Sequence, residues 1–442
     1  MVKDLKWSDT SIYDEIYGYI PLTDIELGII NHPLFQRLNY IRQLGNTYRV
    51  FPGAHHTRFS HSLGAMCILD KMITSRYINI VKPEERQKLR LAALLHDIGH
   101  YPFSHAVETI FTENGKIKEG KHEKFGEFVL KKYSIKELLD VYKPEEISDI
   151  FLGKSGNVLY NQLMSSELDA DRMDYLFRDS IHTGVKYGRF DLDRIIHTLR
   201  ISKKGFLGVH EEGVRAADGY IIGRHLMWTT VYTHKTVSGY DELLKAAFEK
   251  TIEKKFSTLD KLKKLSEEDF IKFNDNYVLN IIAKNMKSKD KYSSDICKAY
   301  FNRGHEYHLH IAVEAKEFTE EGKSSLNFYQ LDDYKKKSNL ERLIKRDELK
   351  GWIFHSNSKT KLPSLKPNML EDYYKFEKEG KSGEEMIKSM YIINNEGKET
   401  MFQNYEHSLT KKLTNLSYDI VRIYTKYDYI EEVEQIIKKD LE

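Results

Sequence analysis

The stretch LLHDIGHYPFSH, residues 94–105, places polar side chains at the end of an apolar helix. The leucines that lead into it recur at helical spacing, and Gly99 is typical of the residue that follows a helix. Pro102 then prevents the helix from continuing. The dipeptide His96-Asp97 is therefore predicted in the last turn of a buried helix. Polar groups at such a position cap the helix, pair with a charge or bind a ligand.

Histidine is concentrated around this stretch. Seven of the 18 histidines lie between positions 55 and 122, far above an even spread over 442 residues. They are His55, His56, His61, His96, His100, His105 and His122. Because histidine serves both proton transfer near neutral pH and metal ligation, the chemistry of the protein is expected in this region.

The composition excludes several classes of protein. Lys and Arg total 69 against 67 Asp and Glu, and a formal net charge of +2 gives no global attraction to nucleic acid or an anionic membrane. The two cysteines exclude a disulfide scaffold and a thiolate zinc site. No apolar run approaches the roughly 20 residues that span a bilayer, and the N-terminus has no signal-peptide core. A cytoplasmic protein is expected, with neither nucleic acid nor membrane as a partner.

The helical periodicity predicts a mainly α fold. Residues 1–300 are predicted to form a helical catalytic domain with a small hairpin near 205–215. Residues 301–442 are predicted to form a smaller α+β lobe that takes part in oligomer formation. In this lobe HLHIAVEAKEF (308–318) and SLNFYQL (325–331) alternate as strands do.

Four side chains indicate a metal site. They are His61, His96, Asp97 and Asp171. Imidazole nitrogens and carboxylate oxygens together suit a first-row divalent ion. Their separations along the chain fix no local geometry, so the ligands would have to converge from three helices. From the residues alone, a cap or a salt bridge at the helix end is the more common explanation of the His-Asp pair.

Several strings resemble one family. The stretch at 94–105, HTRFSHSLG (56–64) and ELDADRMDYLFRD (167–179) are together similar to the HD-domain phosphohydrolases. Three further strings are similar to the deoxynucleoside triphosphate triphosphohydrolases, which include a mammalian enzyme with a sterile-alpha-motif domain and bacterial dGTPase-like enzymes. These strings are FQRLNYIRQLGNTYRVFPGAHHTRFSHSLG (35–64), VYTHKTV (231–237) and DIVRIYTKYDYIEEV (419–433). We expect no counterpart of the sterile-alpha-motif domain.

The resemblance implies an HD-domain helical core with a divalent ion bound by His61, His96, Asp97 and Asp171. The ion would be Mn, Fe, Ni, Co or Zn, alone or together with Mg.

The resemblance also implies roles for the neighbouring histidines. His100 and His122 would contact phosphate, and His105 would act as general acid. Glu108 would orient a histidine and raise its pKa, although the family more often has Asp at this position. Without the resemblance, capping or surface positions are the preferred interpretation of His105 and His122.

For the nucleotide, the resemblance implies contacts to the phosphates, to the sugar and to C2′, where crowding would exclude ribonucleotides. The residues are Arg58, Arg172, Arg224 and Lys235 for the phosphates, Gln43, Tyr175 and Asp179 for the sugar, and Leu44 and Tyr232 against C2′. Taken one at a time, each cation is better explained as a solvated side chain on a helix, and Tyr232 is also explained as a core aromatic.

The implied reaction is hydrolysis of a dNTP to a deoxynucleoside and inorganic triphosphate. Two alternatives stay open: hydrolysis of nucleoside monophosphates or cyclic nucleotides at an HD site, and a nucleotide-sensing or single-strand-binding module. A homodimer or homotetramer is expected, and a nucleotide effector is a candidate partner. Activation by GTP or dGTP in the mammalian manner is not expected, because the aligned effector positions carry different residues. These are Thr10, Asn31, Asn39, His210 and Glu212.

Overall fold

The computed structural model describes residues 5–80, 82–112, 117–139, 141–303, 309–320, 349, 351–361, 389–410 and 416–441. The predicted fold class is confirmed, since these residues are mainly helical and carry a few small sheets. No described helix is long and apolar enough to cross a membrane. The α-helices are α1 (Asp24–Asn31), α2 (Pro33–Gln36), α3 (Arg58–Ile73), α4 (Pro83–Leu95), α5 (His105–Phe111), α6 (His122–Lys132), α7 (Pro144–Phe151), α8 (Val158–Met164), α9 (Ala170–Thr183), α10 (Leu192–His197), α11 (Val214–Met227), α12 (Lys235–Thr251), α13 (Leu259–Leu262), α14 (Glu267–Lys272), α15 (Asp275–Asn285), α16 (Lys291–Phe301) and α17 (Ile430–Leu441).

The described strands form three sheets. The strands are β1 (Trp7–Asp14), β2 (Gly18–Thr23), β3 (Leu199–Ile201), β4 (Leu207–His210), β5 (His310–Glu320), β6 (Phe354–Lys361), β7 (Tyr391–Ile393), β8 (Glu399–Met401) and β9 (Leu416–Thr425). β1 pairs with β2, a second sheet has the order β3-β4-β7-β8, and a third has the order β5-β9-β6. The hairpin near 205–215 lies instead at 199–210, because Glu211–Gly213 already form a 3-10 turn before α11.

The strand predicted at 308–318 corresponds to β5, which pairs antiparallel with β9. The second predicted strand, 325–331, lies outside the described residues.

The chain divides into two compact units that do not follow the predicted boundary at residue 300. The first unit comprises residues 1–227, 258–275 and 365–412, and the second comprises 228–257, 276–364 and 413–442. Pairing of distant segments explains the difference. β7 belongs to the first unit because it pairs in parallel with β4, and local periodicity does not reveal such a pairing.

Three helices form the centre of the first unit. α3 packs against α4 and α9, and its core side chains are fully or almost fully buried. Gly64 lies where α3 meets α9, and a Cβ there would collide with Asp174 and Arg178. Because Gly64 has no side chain, α9 can approach α3 closely at this point, which is one helical turn after His61.

A buried ion pair joins α1 to α4. The carboxylate of Glu26 accepts hydrogen bonds from Arg90 Nε and Nη2, both at 2.7 Å, and both side chains are at most 1% exposed. Replacing Glu26 with alanine removes the bidentate partner of a buried guanidinium, so we expect the free energy of unfolding to fall by about 3–5 kcal/mol. Urea denaturation measures this change. The control Glu85→Ala, at an exposed carboxylate of α4, should stay within about 0.5 kcal/mol of the wild type; similar losses in both variants would contradict the prediction.

Candidate metal centre

Three side chains of the ligand type meet where α3, α4 and α9 converge. His61 lies near the start of α3, His96 follows α4, and Asp171 is in the first turn of α9. His61 Nε2 is 3.0 Å from Asp171 Oδ1 and 3.2 Å from His96 Nε2, and His96 Nε2 is 3.6 Å from Asp171 Oδ1. Both imidazoles are buried, whereas the Asp171 side chain is 32% exposed. The cluster is therefore open to solvent on the Asp171 side.

Asp97 lies beside this cluster and contacts a second one. Its Oδ1 is 3.3 Å from His96 Nε2 and 3.3 Å from His100 Nε2. Its Oδ2 accepts a hydrogen bond from Arg58 Nη1 at 2.8 Å. Burial opposes the ionised form, but Arg58, His96 and His100 hold the pKa of Asp97 well below its usual range. Asp97 is thus a buried carboxylate shared between the two groups of histidines.

The imidazoles are oriented by hydrogen bonds on their outer nitrogens. His61 Nδ1 donates to Asp174 Oδ2 at 2.8 Å, and His96 Nδ1 donates to Ala93 O at 2.8 Å. Asp174 is itself held by Arg178, whose Nε and Nη2 donate at 2.9 and 3.1 Å. With Nδ1 engaged in this way, Nε2 of each ring faces the cluster and is the atom that would bind a metal.

The charge of the cluster fits a cation. Burial lowers the pKa of His61, but Asp171, Asp174 and Asp97 outweigh this effect and raise it to about 10. An environment that holds a proton so firmly has an excess of negative charge. The imidazole and carboxylate donors lie within 4.8 Å of one another and match the preferences of a divalent ion.

Replacing Asp174 with asparagine tests this arrangement. The variant keeps a hydrogen-bond acceptor for His61 Nδ1 but loses the negative charge that makes the imidazole a stronger metal ligand. We therefore expect metal affinity to fall about 10–100-fold. Calorimetric titration of the metal-free protein with Mn²⁺ measures the affinity. The matched control is Asp70→Asn, which removes a carboxylate of the same helix as His61 that pairs instead with Arg86 and Arg90. Unchanged Mn²⁺ affinity in Asp174→Asn would show that the outer hydrogen bond does not matter.

A second cluster of histidines surrounds Glu108. His105 Nδ1 donates to Glu108 Oε2 at 2.6 Å, and His122 Nδ1 is 3.1 Å from Glu108 Oε1. The rings of His122 and His100 stack with centroids 3.8 Å apart. The side chain of His105 is 68% exposed, so its Nε2 faces solvent while its Nδ1 is held.

The charges in this cluster differ from ring to ring. Burial opposes protonation of His122, but Glu123 and Glu108 raise its pKa to about 9. Burial, Arg58 and His122 lower the pKa of His100 far below its ordinary value. His100 is therefore neutral beside a protonated His122, and its Nε2 lies 3.3 Å from Asp97 Oδ1.

The predicted phosphate contacts lie at different places. Arg58 joins the two clusters through its bond to Asp97. Arg172 pairs with Asp169 and also donates to Ser166 O, and Arg224 pairs with Glu167. The other predicted cation, Lys235, starts α12 in the second unit, and its contact with phosphate stays a prediction.

The predicted sugar contacts include one unexpected partner. Asp179 Oδ1 is 2.7 Å from Nε2 of the buried His56, a histidine for which the sequence indicated no role. The ring of Tyr175 lies 6.4 Å from that of His61. Gln43 is buried, and its Oε1 has no partner among the described residues. Leu44 follows it directly.

Tyr232 ends a π-helical turn in the second unit. Its role at C2′ therefore also stays a prediction.

The structure adds functional candidates that the motifs did not indicate. Asp174 was identifiable from its spacing, three residues after Asp171 and four before Arg178, which places all three on one face of a helix. Asp169 and Glu167, the partners of the two arginines, had no such signal.

Two stretches of the chain match known families. Residues 58–179 match the HD domain, and residues 190–304 match the HD associated region. The first stretch contains both histidine clusters described above.

Relatives extend this match. An uncharacterised protein of Methanocaldococcus jannaschii is 36% identical over 297 residues, which is 66% of this chain and 60% of that protein. The uncharacterised protein YwfO of Bacillus subtilis is 31% identical over 321 residues, 67% of this chain and 71% of YwfO. The deoxynucleoside triphosphate triphosphohydrolase SAMHD1 homolog of Dictyostelium discoideum is 30% identical over 256 residues, 54% of this chain and 49% of the homolog. The matched region thus spans between about half and 71% of these relatives.

A solved structure is similar over nearly the whole chain. A hypothetical protein from Aquifex aeolicus superposes with a TM-score of 0.71 at 27% identity, covering 97% of this chain and 99% of that one. The histidines and aspartates on three converging helices fit a divalent metal, and the same helices carry the HD match. Because residues 58–179 match the HD domain and the chain matches 71% of YwfO at 31% identity, we conclude that the chain belongs to the HD-domain phosphohydrolase family.

Proposed function

We propose that the protein is a metal-dependent dNTP triphosphohydrolase, which converts a dNTP and water into a deoxynucleoside and inorganic triphosphate. The observation that carries the proposal is the position of Asp97, whose Oδ1 is 3.3 Å from a nitrogen of His96 and of His100. A candidate metal centre and a cluster of proton-bearing histidines therefore adjoin. A single phosphate group can contact both at once.

The chain offers His61, His96 and Asp171 as metal ligands, with Asp97 as the proposed fourth. A divalent ion bound there would polarise a phosphate oxygen and lower the pKa of a bound water. Arg58, whose Nη1 already neutralises Asp97, supplies positive charge to the same phosphate.

The histidine cluster supplies the acid. His105 delivers its Nε2 proton to the 5′ oxygen as the bond from the α-phosphorus to that oxygen breaks. The incoming water gives its oxygen to the triphosphate and releases a proton. Glu108 holds His105 through Nδ1, so that Nε2 is the atom that faces the substrate. The charged His122 and neutral His100 offer N–H donors to the phosphate oxygens.

Selectivity for deoxyribose rests on the proposed sugar contacts. Gln43 and Asp179 would hydrogen-bond the 3′ hydroxyl, and Tyr175 would pack on the sugar. Leu44 would leave no room and no partner for a 2′ hydroxyl. The same role, which the resemblance implies for Tyr232 of the second unit, stays a prediction.

A second candidate, a phosphohydrolase of nucleoside monophosphates or cyclic nucleotides, is favoured by one observation. Arg224 is paired with Glu167, whereas a triphosphate would need this cation for its distal phosphates. A smaller phosphate substrate leaves this ion pair in place.

A product assay separates the two candidates. Each of the four dNTPs, the four NTPs, the corresponding nucleoside monophosphates and a cyclic nucleotide is incubated with the protein and Mn²⁺ or Mg²⁺, and the products are resolved by ion-exchange chromatography. Intact triphosphate from dNTPs, with NTPs unreacted, supports the proposal. Stepwise release of orthophosphate, or turnover of monophosphates alone, contradicts it. Sedimentation of the same samples tests the proposed homodimer or homotetramer.

We expect GTP not to accelerate dNTP hydrolysis. Asn31 and Asn39 replace the residues that would recognise guanine, and Asn39 donates instead to Gln36 at 3.0 Å. Glu212, 66% exposed, presents negative charge where a cation would bind the triphosphate. Rates at constant dNTP, with and without GTP, check this. A large increase in rate together with tetramer assembly would contradict it.

A further inference from the structure

The turn before His105 has a backbone conformation that residues other than glycine rarely adopt. Phe103 and Ser104 follow one another with φ of 55° and 52°, and Ser104 has ψ of −123°. Both residues are buried. Such residues persist only where their surroundings hold them. The contacts of this turn therefore determine the position of His105.

One carboxylate makes the central contact. Asp275 is 1% exposed, and its Oδ1 accepts a hydrogen bond from Phe103 N at 2.7 Å. Its Oδ2 accepts from Arg42 N at 3.1 Å and lies 3.4 Å from Arg42 Nη1. Asp275 thus connects the turn before His105 to the segment that begins at Arg42.

Further contacts join the same two segments. Ser104 Oγ donates to Arg42 O at 2.8 Å and accepts from Arg58 Nε at 2.9 Å. Gly45 lies against the turn with φ of 48°, and a Cβ there would come within 3.1 Å of Phe103 O. One segment therefore has little freedom to move without the other.

We propose that Asp275 is a positioning residue, which sets the distance between the general acid His105 and residues 42–45. This inference rests on the proposed function, in which His105 protonates the 5′ oxygen of a substrate whose sugar contacts Gln43 and Leu44. Asp275 acts through these two segments. A carboxylate is required because both bound backbone groups are N–H donors, and an asparagine would turn an NH₂ group toward one of them.

The variant Asp275→Asn tests the proposal with two substrates. A dNTP has a leaving oxygen that needs a proton, whereas bis(p-nitrophenyl) phosphate releases nitrophenolate without one. A small displacement of a catalytic group reduces turnover by up to about 100-fold, so we expect kcat for the dNTP to fall by about 10–100-fold. KM, bound metal and nitrophenolate release should change little.

The matched control is Asp218→Asn. Asp218 is also a buried carboxylate that accepts from two backbone N–H groups, those of Leu409 and Thr410 at 3.1 and 3.2 Å. This variant should keep the wild-type ratio of the two activities. If Asp275→Asn lowers both activities equally, or neither, Asp275 does not position the acid.

Two further measurements keep the test decisive. If Asp275→Asn does not fold, Asp275→Glu replaces it, because this variant keeps a carboxylate for the N–H groups of Phe103 and Arg42 while the added methylene displaces the turn; the same selective loss is expected. If the wild type hydrolyses bis(p-nitrophenyl) phosphate but no dNTP, the proposed function fails. NMR of ¹⁵N-histidine-labelled protein then tests the positioning role of Asp275 without a substrate. The His105 signals should shift in Asp275→Asn and not in Asp218→Asn. Unshifted His105 signals in Asp275→Asn would overturn the inference.

Discussion

Turnover should be lost, and bound metal reduced, when Asp171 is replaced with alanine. Asp171 Oδ1 is 3.0 Å from His61 Nε2 and 3.6 Å from His96 Nε2, and it contributes the exposed side of the cluster. Loss of a residue that only orients a ligand costs about 10–100-fold in metal affinity or activity. Loss of the proposed ligand itself should therefore exceed about 100-fold. Metal analysis after dialysis and kcat on the preferred substrate measure both effects.

The control for this variant is Asp191→Ala. Asp191 caps α10 through a hydrogen bond from Arg194 N at 3.0 Å and belongs to the same unit. It should keep wild-type metal content and turnover. Activity and metal retained in Asp171→Ala would remove Asp171 from the ligand set.

Alanine at His105 should reduce dNTP turnover by about 10²–10⁴-fold, the range typical of a lost general acid. His105 is mostly exposed, and its described hydrogen bond is to Glu108. The variant should therefore fold and bind metal as the wild type does. The loss should be much smaller for bis(p-nitrophenyl) phosphate, because nitrophenolate departs unprotonated. Steady-state rates with both substrates measure the contrast.

His197→Ala is the matched control, since His197 is an exposed histidine of α10. It should leave both rates unchanged. Equal losses on both substrates in His105→Ala would show that His105 has some other role than proton donation.

Much of the fold class and the location of the chemistry were predictable from the sequence. Helical periodicity and scarce helix breakers predict the mainly α fold, because both are local properties. The crowding of histidines between residues 55 and 122 indicated the region in which both clusters lie. The convergence of His61, His96 and Asp171 was not accessible from spacing, since 35 and then 75 residues separate them along the chain; only the resemblance to a family predicted it.

Other features depend on contacts that no local pattern encodes. Asp275 lies 172 residues from the turn that it holds, and His56 lies 123 residues from Asp179. The two compact units do not follow the predicted boundary at residue 300 for the same reason, because β4 and β7 pair across a long intervening chain.

The alternation of the chain between its two units limits how the gene can be divided. Each unit is assembled from three separate segments of the chain, so neither unit is encoded by one uninterrupted stretch of the gene. A fragment truncated at residue 300 would retain every proposed metal ligand and yet lack β7, which exposes the edge of β4 to pairing with other chains. We therefore expect such a fragment to aggregate. A deletion that removes β7 would then abolish activity because a sheet is left incomplete, and the deleted segment would be mistaken for a catalytic one.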